Sequence, residues 1–316
     1  MQPQLARLST QRRSDPELIR LIEGGKTIVR KVFTVPLTIG LLAIQIVVYS
    51  LWQPCVAGAQ TGPPPNSPQT EARSQARVQL NKGVQAFKSA LYPEAVAHFT
   101  TAVELDPNFI TARLYLATAY MQQYNPGADS PDNLKMANEA QHQFQTVLEQ
   151  EPMNELAMAS LASLCFNEKK FDDAEQWDQK LVSVNPRNKE AFYTLGVIAW
   201  TKVFQPLMET RARMGMKPED RGPLTDNSGR AELAATNGRL VEEGIKNLEA
   251  AISLDPEYDD AMAYENLLYR EKADLEDSPE AYKADIEAAD NFFGRTLEIR
   301  KVKAERNAHS TTQEPR

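Results

Sequence analysis

AVELDPNF at 102–109, VLEQEPMN at 147–154, LVSVNPRN at 181–188 and AISLDPEY at 251–258 decide the fold. Each is an apolar, helix-like run that ends in Asp, Glu or Asn followed by Pro. Proline has no N–H and cannot continue a helix, so Pro107, Pro152, Pro186 and Pro256 each mark a helix end. The prolines lie 45, 34 and 70 residues apart. A period of 34 with insertions of 11 and 36 residues accounts for all three spacings.

The positions inside the period agree. The first copy runs from Ala76 to Phe109, with Gly83 where a first helix (A) must touch its partner closely. Tyr92 stands near the turn, and Ala95, Phe99 and Ala102 lie along a second helix (B). The third copy, Glu155 to Asn188, repeats this with Ala162, Phe171, Ala174 and Pro186. The fourth opens with Ala191 and Leu195-Gly196 and closes with Ala251, Ile252 and Pro256. Small residues let two helix axes approach, and large ones fill the gap that remains. One hairpin cannot cover its own apolar face, so neighbouring hairpins must stack.

This pattern over about residues 74–300 resembles the tetratricopeptide repeat (TPR) proteins. The resemblance implies an all-α, helix-turn-helix solenoid, an α-α superhelix, used for binding proteins or peptides. MKPEDRGPLTDNSGR at 216–230 and DPEYDDAMAYENLLYREKADLEDSPE at 255–280 resemble a bacterial, envelope-directed family of the same kind.

The departures from the period place two insertions, near 122–134 and at 202–240. The first contains Asp-Ser-Pro at 129–131, and a degenerate fifth copy contains the same tripeptide at 277–279. Ser130 and Ser278 suit a helix N-cap and Pro131 and Pro279 the first helical position, which predicts lengthened B helices. The larger insertion continues the apolar spacing through Val203–Met208, breaks at 216–230 and restarts as RAELAATNGRL. A last helix near 280–305 should close the array with a polar outer face, and residues 307–316 read as a tail.

In such an array, the concave face is lined by helix A at positions 5, 9 and 12, which fall on one side of a helix. They are Leu80, Val84 and Phe87; Leu114, Thr118 and Met121; Ala159, Ser163 and Phe166; Tyr193, Val197 and Trp200. The candidate partner-binding residues are therefore Leu80, Val84, Phe87, Leu114, Met121, Phe166, Tyr193 and Trp200. This strip is apolar and aromatic, whereas the carboxylate-clamp members of the family place Lys and Asn here. It suits an amphipathic helix or an extended apolar segment. The competing expectation is that the same residues are buried within the chain, with the 202–240 insertion folded over them.

The N-terminal part reads differently. Val32–Trp52 is a 21-residue apolar run behind Arg30-Lys31, long enough for a bilayer. Ala57-x-Ala59 offers a signal-peptidase site before Gln60. Residues 1–59 are thus read as a signal peptide or a membrane anchor, and 60–73, with Pro63-Pro64-Pro65, as a linker. Either reading puts the body outside the cytoplasm: periplasmic, secreted, or held at the inner membrane.

Charge and composition exclude several classes. Residues 1–59 carry a net +4 and residues 60–316 a net −12, so the body is a poor nucleic-acid binder. Cys55 and Cys165 cannot build a disulfide framework or a four-cysteine zinc site. His98, His142 and His309 lack zinc-helix spacing, and the glycines form neither phosphate-binding loop. No catalytic residue, metal, cofactor or small-molecule substrate is expected. These features together predict a non-catalytic interaction scaffold of the bacterial cell envelope. A structural spacer or assembly subunit tethering an envelope complex is the alternative. An enzyme with its site at Arg211, Arg213, Asp220 or Arg221 stands a distant third.

Overall fold

The computed structural model describes residues 68–217, 220 and 222–311, and of 307–311 the backbone alone. The described residues form ten helices and no strand: α1 (Pro68–Lys88), α2 (Tyr92–Leu105), α3 (Ile110–Gln123), α4 (Pro131–Gln150), α5 (Glu155–Asn167), α6 (Phe171–Val184), α7 (Lys189–Arg213), α8 (Asn227–Leu254), α9 (Asp259–Leu275) and α10 (Pro279–Thr311). Odd-numbered helices are the A helices and even-numbered ones the B helices. The chain divides within α4 into two compact units, one up to Gln143 and one from Phe144.

In the first unit α1 packs on α2, and α2 on α3. The core is Ala86, Ala95, Phe99, Leu116 and Ala119, and Tyr115 stacks on Phe99 with centroids 5.3 Å apart. Gly83 is what permits this: a Cβ there would stand 2.4 Å from the Phe99 ring. The second unit repeats the device one register later. A Cβ on Gly196 would meet Leu248 at 2.4 Å, and Gly83–Phe99 and Gly196–Leu248 occupy the same two positions of the period.

The turns repeat as well. Asp106, Asn185 and Asp255 each accept a hydrogen bond from the backbone N–H two residues on, at 3.3, 3.0 and 3.0 Å. This Asx turn reverses the chain around the proline and explains the recurring Asp/Asn-Pro pair. Within the hairpins, Leu91 N–H donates to Ala86 O and Lys170 N–H to Cys165 O, both at 2.9 Å. Ala90 and Lys169 accordingly sit at φ 58° and 61°, the left-handed conformation that ends a helix with six-to-one closure.

The lengthened B helices form as expected. Ser130 Oγ accepts from Asn133 N–H at 3.3 Å and Ser278 Oγ from Ala281 N–H at 3.1 Å. The outward side of α10 carries Lys283, Glu287, Asn291, Glu298 and Lys301, with Leu297 its one large exposed apolar residue.

Two boundaries differ from the sequence reading. Residues 68–73, expected as linker, are the first turns of α1. Pro68 suits the first turn because an orphan N–H is lost there anyway, and Glu71 complements the helix dipole. The 202–240 insertion is less loop than expected. Helix α7 runs through Pro206 to Arg213, and α8 begins at Asn227, capped by Asp226, whose carboxylate accepts from Gly229 N–H at 2.8 Å. The insertion therefore lengthens both helices of one hairpin. Leu207, Leu224 and Leu233 form its own small core with Met208, Met214, Met216 and Leu275.

The apolar run at 32–52 and the cleavage site before Gln60 lie outside the described residues; of the tail expected at 307–316, residues 307–311 continue α10 as helix and 312–316 lie outside the described residues. Among the described residues no helix is long and apolar enough to cross a membrane.

Candidate functional site

The predicted strip splits between the two units, and its two parts fare differently. In the first unit Leu80, Val84 and Phe87 on α1 and Leu114, Thr118 and Met121 on α3 are all half-buried. Leu80, Val84 and Phe87 rest against the core with one side and leave the other to solvent. Phe87 is fixed by edge-on contacts to Tyr92 and Tyr115, with centroids 5.4 and 6.4 Å apart. The Thr118 hydroxyl donates to Leu114 O at 2.8 Å, which hides its polarity within the helix.

In the second unit Phe166 and Val197 are buried and the other strip positions stay part-exposed. Phe166 retains 8% of its surface and packs edge-on against Phe171. Tyr193 lies against Tyr258 and Tyr264, at 5.1 and 5.8 Å, and Trp200 against Tyr264 at 5.4 Å and Phe204 at 5.0 Å. Burial among these rings raises the Tyr193 hydroxyl well above its ordinary value. Of the anchors expected here Phe166 is buried, whereas Tyr193 and Trp200 stay part-exposed. The rings against them come from α9, from the residue before it and, at Phe204, from the insertion. Sequence spacing places residues on a helix face but does not tell which neighbouring aromatic rotates onto that face.

The insertion holds a buried ionic anchor instead. Arg211 donates to Asp274 Oδ2 at 2.7 Å, to Lys217 O at 3.2 Å and to Asp220 O at 2.6 Å. Asp220 in turn accepts from Lys217 N–H at 2.7 Å, and Leu224 N–H donates to Asp274 O at 3.1 Å. One guanidinium thus ties the loop to the C-terminal end of α9. Burial raises Asp274 to about 6, against the pull of Arg211. Both terminal nitrogens of Arg211 are used in this way, its Nε is buried without a partner, and the arrangement provides no nucleophile–base pair. Burial pushes the Cys165 thiol up to about 11, which makes it a packing residue.

Sequence reasoning missed a set of buried acids. Asp178 on α6 stands at the period position of Phe99, Phe144 and Leu248 and is almost fully buried. Glu265 on α9 stands at the position of Leu116, Leu161 and Leu195 and is fully buried. Glu271, two turns further, is also buried. Neither oxygen of Glu265 or Glu271 has a hydrogen-bond partner, nor has Asp178 Oδ2. Burial raises all three, Glu265 to about 8. Aligning the copies would have shown an acid in a leucine or phenylalanine column.

Comparison with known proteins fits this geometry. The family model described as tetratricopeptide repeat matches residues 137–188, which span most of α4, α5 and α6. No curated protein matches the sequence. Among solved structures, the MamA protein is 17% identical, with a TM-score of 0.49, over 73% of this chain and 95% of that one. MamA from Desulfovibrio magneticus RS-1, from residue 41, is 16% identical, with a TM-score of 0.48, over 72% and 96%. YrrB, described as a TPR protein with an unusual peptide-binding site, is 18% identical, with a TM-score of 0.46, over 73% and 91%. Residues 137–188 thus match the tetratricopeptide repeat, and the hairpins before and after them keep the same small-and-large register.

Proposed function

We propose that the protein is a non-catalytic interaction scaffold that binds a protein or peptide partner on the α1–α3 face of its first unit. One observation carries this reading. Leu80, Val84, Phe87, Leu114 and Met121 form a part-exposed apolar strip on two neighbouring A helices, while in the second unit Phe166 and Val197 are buried and Tyr193 and Trp200 pack against the rings of Tyr258 and Tyr264. A contiguous apolar strip on a soluble surface suits a partner that offers apolar side chains, an amphipathic helix or an extended segment. Buried Phe166 takes no part in this face. The apolar run at 32–52 and the Ala-Gly-Ala site support export to the cell envelope, with or without a retained anchor.

The test is site-specific photocrosslinking in intact cells. A photoreactive residue at Val84 or Met121 is expected to give the same discrete adduct, and one at exposed Glu104 on α2 none. Equal adducts from all three positions, or none from Val84 and Met121, would overturn the reading. The mature N-terminus, read by mass spectrometry, checks export: a start at Gln60 is the expected mark of cleavage, and a start upstream of Val32 the mark of an anchor.

A further inference from the structure

The second unit ends in a hairpin built against the pattern of the others. Helix α9 packs on α7, α8 and α10. Where α3, α5 and α7 turn a leucine into the core, α9 turns the Glu265 carboxyl, and it adds Glu271 toward α7. The four oxygens of these two acids lack hydrogen-bond partners. A buried carboxyl without donors is tolerable only while it keeps its proton.

The surroundings do not supply the missing partners. Toward Glu265 the charged groups are Glu249 of α8, which repels its anion, and Arg295 of α10, which attracts it weakly. Toward Glu271 they are Asp274 on α9 itself, which repels, and the Trp200 indole of α7, a hydrogen-bond donor on that side that favours the anion. Arg211 of α7 is engaged by Asp274. Lys272 is engaged by Glu242 of α8 and Asp285 of α10. The same hairpin carries Tyr258 and Tyr264, the rings that cover Tyr193 and Trp200.

We propose that the α9–α10 hairpin is a proton-linked cover: it closes over Tyr193 and Trp200 while Glu265 and Glu271 are protonated, and their ionisation loosens it. Opening exposes two part-covered aromatic anchors further, so its consequence rests on the partner-binding reading above, whereas the opening itself does not. The Glu265 value of about 8 puts the transition in a mildly alkaline range. Each acid contributes on the order of tenfold per pH unit to the opening equilibrium between its exposed and buried values.

The experiment uses the full chain with Trp52 and Trp177 replaced by Phe, which leaves Trp200 as the only tryptophan. Its emission is expected to shift to the red between pH 6 and pH 9.5. Over the same range, hydrogen exchange in α9, corrected for its intrinsic pH dependence, is expected to rise at least tenfold while that in α1–α3 stays constant. Glu265→Gln with Glu271→Gln removes the response. Should that pair fail to fold, Glu265→Leu alone, which restores the leucine column, is expected to reduce it. Constant Trp200 emission and constant α9 protection across this range would overturn the proposal. So would a pH response that the variants leave intact. No partner enters the measurement, so a failure here is separate from a failure to crosslink at Val84 or Met121.

Discussion

At the scale of the residue, the fold rests on absences of side chain that the sequence states outright. Gly83 is legible as a close-approach position because Phe99 follows sixteen residues later in the same register as Gly196 and Leu248. The contacts give the reason: each glycine faces a large side chain at 2.4 Å from where a Cβ would stand. A methyl group at Gly83 gains helix propensity but must displace a rigid ring held between Gly83 and Tyr115. We expect Gly83→Ala to cost about 1–3 kcal/mol, because overpacking outweighs the propensity gain. Gly238, also helical, has nothing within 4 Å of its Cβ position. There only propensity acts, and Gly238→Ala should stabilise by about 0.5–1 kcal/mol. Urea denaturation of the two variants checks both signs; destabilisation of equal size at both sites would refute the packing account. Glu265 was not legible in the same way. An isolated glutamate on a helix reads as a solvated residue, and only its column in the repeat and its burial reveal it.

At the scale of the element, the Asp/Asn-Pro turns and the Ser-Pro starts were readable because capping is a local matter of a few residues. What α9 and α10 do to each other was not, since it depends on groups more than forty residues apart. The acidic turn before α9 is gripped by the basic end of α10. Arg300 donates to Asp259 at 2.8 Å and to Asp260 at 2.9 Å, and Lys303 reaches Glu257 O at 2.7 Å and also Asp259. Arg306 forks onto the Glu257 carboxylate at 2.8 and 3.0 Å and holds that carboxyl below its usual value. The pairs are not equal. Asp259 is well shielded from water and faces two cations, whereas Arg306 and Glu257 are both open to solvent. Removing the shielded acceptor leaves two cations short of a partner. Asp259→Asn should therefore cost about 1–2 kcal/mol, and Arg306→Ala should leave stability nearly unchanged. Denaturant unfolding at low and high salt separates them; equal losses that vanish together in salt would place both pairs at the surface.

At the scale of the molecule, the two kinds of carboxylate pull stability in opposite directions with pH. Among the described residues, every carboxyl raised by burial lies in the second unit: Asp178, Glu265, Glu271, Asp274 and Glu276. Such an acid binds a proton in the folded state at a pH where the unfolded chain has released it. Stability is then fully present below the ordinary carboxyl value and falls as pH rises toward the folded value, about 8 for Glu265. Glu257 and Asp255 do the reverse. Arg306 and Lys189 hold them low, so what they contribute is present at neutral pH and is lost in acid. The sum is a maximum at mildly acidic pH, on the low side of the range usual for globular proteins. Tm is expected to be higher at pH 5 than at pH 8 by about 5 °C or more, and to fall again below pH 4. The variant that isolates the cause is Asp178→Leu, which puts an aliphatic side chain where other copies carry Phe99, Phe144 and Leu248. It should raise Tm at pH 8 more than at pH 5, because it removes a proton that the unfolded state gives up and the folded state must keep. A calorimetric Tm that is flat or rising from pH 5 to pH 8, or a gain from Asp178→Leu that is independent of pH, would mean that these carboxyls find water or a cation in solution and are not held neutral by the fold.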